Sequence, residues 1–338
     1  MKSDSVISIQ ALDFMWPVKD PFLFCAHHRD LYPVGNENMG PAASLSGRNI
    51  GQDFVIKDGW RMYHGDTIPG FPAHPHRGFE TVTIVMEGFV DHADTHRQAG
   101  RYGNGDVQWM TAGSGLQHSE MFPLLNRDAG NPAELFQVWL NLPAAKKMVQ
   151  PHFKMLWSED IPLVKIQDEQ GKNIEINVIA GRYETTSALE PAPDSWAADP
   201  ENKVAVWTIK MEAGAKWKIP IATENVMRIL YFYSGTLIRI NSIEIKAKNA
   251  IELKAGNEVL VENGSTDGFF LLLQGKPIQE PVAQYGPFVM NTQNEIRQAM
   301  RDYQQTEFGG WPWSRHDQVH ERSKGRFAIH KDGREEIK

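Results

Sequence analysis

The sequence predicts an all-β chain that folds as two β-barrels in tandem, with one short helix near its C-terminal end. Three observations lead there. Short runs rich in Val, Ile, Phe, Tyr and Thr alternate with turn signals such as GNG, AGSG, AGN and NGST, the pattern of a sandwich or barrel rather than a doubly wound α/β sheet. The length of 338 residues suits two domains of roughly 150 residues each. A weak internal repeat is also present, EG at 87–88 followed by YGNGDVQWM and SG at 234–235 followed by KAGNEVLVE, as expected if one barrel unit occurs twice. The implied division is 1–150 for the first barrel and 151–338 for the second, which ends in the helix and a tail.

Along the chain, strands are expected at 81–86 (TVTIVM), 136–140 (FQVWL), 204–211 (VAVWTIKM), 228–233 (RILYFY) and 269–273 (FFLLL). The interior of the second barrel should be apolar, with Ile229, Tyr231 and Leu271 facing inward. The polar, Pro- and Ala-containing segment 184–203 reads as a long loop. The helix, about 292–306, opens at Thr292 with Glu295 three residues later, a capping-box pattern. Ile296, Ala299, Met300 and Tyr303 form one apolar stripe that should dock on a barrel, and Gly309 and Gly310 end the region. The tail 311–338 has mixed charge and little apolar periodicity, so it is expected to be mobile in part or to lie along the surface.

Composition narrows the function classes. A net charge of -7 and a pI near 6.0 argue against direct nucleic-acid binding, which needs Lys and Arg clustered on one face. The N-terminal sequence offers no signal-peptide core, and no window reaches the 18 or so apolar residues of a spanning helix, so a cytoplasmic protein outside the membrane is expected. The single cysteine, Cys25, fits a reducing compartment and reads as a small packed residue rather than a reactive thiol.

The chemistry concentrates in histidines. Five of the twelve fall between residues 74 and 118. In His74-Pro75-His76 the two imidazoles share one face of an extended strand and can reach one ion. His118-Ser119-Glu120 repeats that geometry with a carboxylate. Glu80 has the same parity as His74 and His76, so two carboxylates, Glu80 and Glu120, are candidates beside three imidazoles. Nitrogen and oxygen donors without thiolate suit Fe, Mn, Co, Ni, Cu or Zn rather than Ca. His92 and His96 lie in the polar stretch DHADTHRQ and read as solvated loop or pocket rim. Arg77, Trp109 and Met110 are candidates to line the pocket, although Trp and Met at that spacing more often belong to a core. No histidine occurs between His152 and His316, so the second barrel cannot repeat such a centre.

HPHRGFETVTIVMEG (74–88), GDVQWMTAGSGLQHSEM (105–121), FQVWLNLP (136–143) and GPFVMNTQNEI (286–296) resemble motifs of the pirin family of the cupin superfamily, over about residues 12 to 309. The resemblance implies two cupin barrels, of the double-stranded β-helix or jelly-roll type, with one metal in the first and none in the second. It implies His74, His76, His118 and Glu120 as ligands, where the general cupin pattern would take Glu80. Fe(II) is the implied metal, with Zn, Ni, Co, Mn or Cu able to replace it in a purified sample. The chain departs from familiar pirins at 25–48, a longer, more polar stretch expected to reshape the pocket mouth.

Several pirins resemble quercetin 2,3-dioxygenases, which implies a flavonol substrate, O2 as co-substrate and Glu120 as catalytic base. The alternative implied by other pirins is a non-enzymatic, iron- and redox-responsive regulator with transcription-related or metabolic protein partners.

Overall fold

The computed structural model describes residues 5–338 and contains two compact units, each built from two separate stretches of chain. Residues 27–158 and 280–338 form one unit, and residues up to 26 together with 159–279 form the other. The expected contiguous division at residue 150 is corrected in both directions. The strand Val6–Ala11 pairs with Asn249–Leu253, placing the N-terminal segment in the barrel of the second half. The tail strand Phe327–Ile329 pairs with Ala99–Gly103, placing the C-terminal segment in the barrel of the first half.

The first-half barrel has two sheets. One runs His152–Leu156, Val107–Thr111, Phe79–Glu87, Asn131–Asn141, Phe22–Tyr32; the other runs Glu335–Ile337, Phe327–Ile329, Ala99–Gly103, Phe89–Asp94, Leu116–Met121, Gly70–His76. The second-half barrel repeats this order. There Met227–Ser234 lies between Asn249–Leu253 and Gly268–Gly275, as Phe79–Glu87 lies between Val107–Thr111 and Asn131–Asn141. Its small sheet, Lys216–Ile219, Val259–Asn263, Leu237–Ile240, Ile243–Lys246, matches Gly70–His76, Leu116–Met121, Phe89–Asp94, Ala99–Gly103. One barrel unit therefore does occur twice. The EG and SG turns are equivalent, both opening a hairpin at a positive-φ glycine, Gly88 and Gly235. The two later turns are one strand out of step, because GNGD precedes Val107–Thr111 whereas AGNE precedes Val259–Asn263.

The second-half barrel is filled by hydrophobic side chains. Trp207, Ile209, Trp217, Leu230, Phe232, Ile238, Val261, Phe270 and Leu272 belong to one buried cluster. At about 1.5–3 kcal/mol for each large apolar side chain buried, such an interior needs no metal to hold it. Ile229, Tyr231 and Leu271 are buried too, but outside that cluster, since side chains alternate along a strand. Tyr231 stacks on Trp16 at 5.1 Å and donates its hydroxyl to the Pro17 carbonyl. The inward set is thus one residue out of phase with expectation.

The helix Gln293–Thr306 has the expected capping box of Thr292 and Glu295. It ends at Thr306, because Glu307 takes a left-handed conformation ahead of the glycines. Ile296 and Ala299 are buried, packing with Phe288, Met290 and Phe308. Arg77 donates to Asp302 at 2.6 Å and to the Ser114 carbonyl, so it ties the helix to the histidine barrel. The segment 184–203 is loop apart from the short strand Thr186–Ser187 and the helical turns Trp196–Ala198 and Pro200–Asn202. Burial pushes the Cys25 thiol up, in keeping with a packed residue.

Candidate metal centre

Gly70–His76 and Leu116–Met121 run antiparallel, with His74 directly opposite His118 and a bulge between Phe71 and His74. The ring centroids are 4.5 Å apart for His74 and His118, 4.9 Å for His76 and His118, and 4.7 Å for His74 and His76. One nitrogen from each ring lies within 4.8 Å of the others. His76 and His118 are buried, whereas His74 stays partly exposed. His74 Nδ1 donates to the Pro72 carbonyl at 2.8 Å, which leaves Nε2 as the free lone pair.

Burial holds all three imidazoles neutral. His74 is lowered to about 4, and the Pro72 carbonyl works the other way. His76 and His118 are lowered well below the usual histidine range by burial and by the neighbouring imidazoles. Both nitrogens of His118 and Nδ1 of His76 are buried without a hydrogen-bond partner. Leaving such groups unsatisfied costs about 1–3 kcal/mol each. Neutral, converging and orphaned nitrogens form a donor set that a divalent transition metal fits.

Glu120 shares the strand with His118, and its Oε2 lies 3.8 Å from His118 Nε2. It is not part of the close histidine group. The Thr83 hydroxyl donates to Oε1 at 2.9 Å, and Gln137 Nε2 donates to Oε2 at 3.1 Å. Burial raises the carboxyl pKa, opposed by the hydrogen bonds of Thr83, Gln137 and Tyr102 and by nearby His92.

Glu80 takes no part in this arrangement. The positive φ of Gly78 breaks the extended run between Gly70–His76 and Phe79–Glu87, so residue parity is not carried from His76 to Glu80. Phe79 touches His76 and Thr83 touches Glu120, which puts odd-numbered positions of that strand inward. Glu80 therefore projects from the opposite face, where Thr111 donates to it at 2.7 Å. Trp109 pairs with Val82 on that same face, while Met110, paired with Thr81, is on the inner one.

His92 is the residue that sequence reading misplaced. It is fully buried on Phe89–Asp94, directly opposite Glu120 in the register, and its ring lies 5.5 Å from that of His118. It stacks on Phe153 at 5.0 Å. The polar neighbours that suggested a loop are compensated from elsewhere: Asp91 is bridged by Arg101 through two contacts of 2.7 Å. His96, in the turn that follows, is half-buried.

The tail, expected to be mobile or superficial, runs along these same strands. Its His316 carbonyl accepts from the Ala73 amide, its Trp313 Nε1 donates to the Asp94 carbonyl, and Arg101 donates to the carbonyls of His320, Glu321 and Lys324. On the open side, Phe71, His74, Gln137 and Trp139 are partly exposed although Gln137 and Trp139 lie on an inner strand face. Trp139 is 5.5 Å from His76. Phe71 thus lies beside His74 and Trp139 beside His76 on the partly exposed side of the histidines. The 25–48 stretch holds the second part of the strand Phe22–Tyr32, after which Asn36 closes a turn by accepting from Asn38 and Gly40.

The Pirin family profile matches residues 36–140, the stretch that carries all three histidines, and the profile of the pirin C-terminal cupin domain matches residues 206–309. The chain belongs to the pirin family. Pirin-1 of Arabidopsis thaliana is 39% identical over 242 residues, 71% of this chain and 78% of that protein. A Pseudomonas aeruginosa relative named "Putative quercetin 2,3-dioxygenase" is 38% identical over 241 residues, 71% of this chain and 79% of its own length. Among solved structures, a quercetin 2,3-dioxygenase of Acinetobacter baumannii superposes with a TM-score of 0.70 at 28% identity, covering 90% of this chain and 98% of that one. Both pirin barrels are of the cupin type, and no helix among the described residues is long and apolar enough to cross a membrane.

Proposed function

We propose that His74, His76, His118 and Glu120 hold one divalent transition metal, Fe(II) in the cell, and that the protein is a dioxygenase acting on flavonols such as quercetin. The observation that carries this reading is the convergence of three neutral imidazoles with unsatisfied nitrogens beside a buried carboxylate. A metal held there supplies Lewis acidity toward the hydroxyl and keto oxygens of the substrate.

The remaining work falls to the chain. Trp139 and Phe71, partly exposed beside His76 and His74, offer flat apolar surface to an aromatic ring system. Glu120 accepts the flavonol hydroxyl proton at a carboxylate oxygen, with Thr83 and Gln137 holding the carboxylate by hydrogen bonds. O2 then enters the products as the central ring opens and CO leaves. The partial exposure of His74 favours a centre that a substrate can reach over a fully enclosed structural metal.

The test is elemental analysis of protein purified without added metal, followed by anaerobic Fe(II) loading and measurement of O2 uptake and CO with quercetin. About one metal per chain and stoichiometric CO are expected. Metal binding without CO would transfer the reading to a regulatory pirin.

A further inference from the structure

Glu120 is surrounded by a set of polar side chains that the barrel itself does not require. Thr83 and Gln137 are directly paired residues of adjacent strands, and they reach Glu120 from the opposite sheet. The single Thr83 hydroxyl proton has two acceptors, Glu120 Oε1 at 2.9 Å and Gln137 Oε1 at 2.6 Å. Gln137 Nε2 takes the other carboxylate oxygen at 3.1 Å. Both oxygens of Glu120 are therefore engaged by neutral donors.

The second-half barrel supplies an internal comparison. By strand pairing, Thr83 and Gln137 correspond to Leu230 and Leu272, which are paired in the same way and belong to the buried apolar cluster. His74, His76 and His118 correspond to Trp217, Ile219 and Val261, and Glu120 corresponds to Asn263. Asn263 spends its amide on the carbonyls of Met211, Glu212 and Thr266. The same architecture thus closes with apolar side chains at the Thr83 and Gln137 positions. The polar pair accompanies the histidines, not the fold.

We propose that Thr83 and Gln137 are positioning residues that hold the Glu120 carboxylate off the three imidazoles, so that Glu120 meets a metal at that centre as a detachable fourth ligand. The proposal rests on the metal-centre reading above and extends it. A carboxylate restrained by neutral donors must give up hydrogen bonds to coordinate fully, and it regains them when it lets go to take a proton. Removing the donors shifts that balance toward the metal.

The experiment uses Co(II) as the probe in the full chain, with affinity by competition titration and coordination number from the visible d–d bands. Thr83→Val and Gln137→Met, both close in shape, are expected to tighten Co(II) binding by about tenfold, the lower end of the range for outer-shell partners, and to weaken the bands as coordination number rises. Thr83→Ser, which keeps the hydroxyl, should retain the wild-type affinity and spectrum. In a Glu120→Ala background neither substitution should change them. Unchanged or weaker binding in both single variants, or the same tightening without Glu120, overturns the proposal. Absence of Co(II) binding by the wild type overturns the metal centre and this proposal together. Co(II) binding without quercetin oxygenation by the iron form counts only against the flavonol reading.

Discussion

His74 and His118 face each other as directly paired residues of two antiparallel strands, with ring centroids 4.5 Å apart, while the position paired in the same way in the other barrel joins Trp217 to Val261. One pair brings two imidazoles together, and the other belongs to an apolar interior. His74→Ala, His76→Ala and His118→Ala are each expected to lower bound metal sharply while leaving the far-ultraviolet circular dichroism unchanged. Stoichiometry in the wild type should be about one per chain. Wild-type metal content in His74→Ala/His118→Ala, or two tightly held ions per chain, would show the assignment to be wrong.

Glu120→Gln keeps an oxygen able to coordinate weakly but cannot accept a proton. Single-turnover oxygenation of quercetin, normalised to bound iron, is expected to fall by about 10² or more. Glu80→Gln should change it little, because Glu80 sits on the opposite strand face and bonds to Thr111. Equal activity per iron in Glu120→Gln and wild type would remove the base role.

A pH dependence of stability follows from His28. Its Nδ1 donates to the Tyr63 oxygen at 2.9 Å, while the Tyr63 hydroxyl donates to Asp30. Burial, then the charges of Arg61 and His27, lower its pKa from 6.5 to about 3. Between those values the unfolded chain binds a proton that the folded chain refuses, so stability falls as pH drops through that window, by at most about 1.4 kcal/mol per unit. Urea titrations of metal-free protein at pH 7.5 and 5 should give His28→Gln a shallower loss than wild type. Parallel losses would contradict the assignment.

Arg101 and Asp91 are both fully buried and joined through two contacts of 2.7 Å. Arg101→Met leaves an uncompensated carboxylate and releases four tail carbonyls, so a destabilisation of about 3–5 kcal/mol is expected in urea unfolding. Limited proteolysis should then cut within 311–338 before the rest of the chain. Resistance equal to that of the wild type would mean that the tail is anchored elsewhere.

The parts of the site written in local spacing were legible. Two residues apart on a strand is a fixed geometry, so His74 with His76 and His118 with Glu120 could be read directly. Glu80 was misjudged because one left-handed glycine, Gly78, resets the alternation within four residues. Ile229, Tyr231 and Leu271 were out of phase because both faces of their strands are buried, which removes the polar marks that fix parity. His92 and the tail were missed for a common reason. Their polar groups are satisfied by residues distant in sequence, such as Arg101 with Glu321, and no local pattern records such a pairing.

The interleaved halves also set an order of events during synthesis. The strands bearing His74 and His118 are complete by Met121, yet the helix that Arg77 grips and the segment that bonds Ala73 and Arg101 are made only from Gln293 onward. The barrel without histidines has its whole sequence available by residue 279. Since domains generally fold as units as the chain emerges, the apolar barrel is placed to fold first and the histidine barrel to close later. Such timing puts any loading of the three histidines with metal after the helix Gln293–Thr306 has been made.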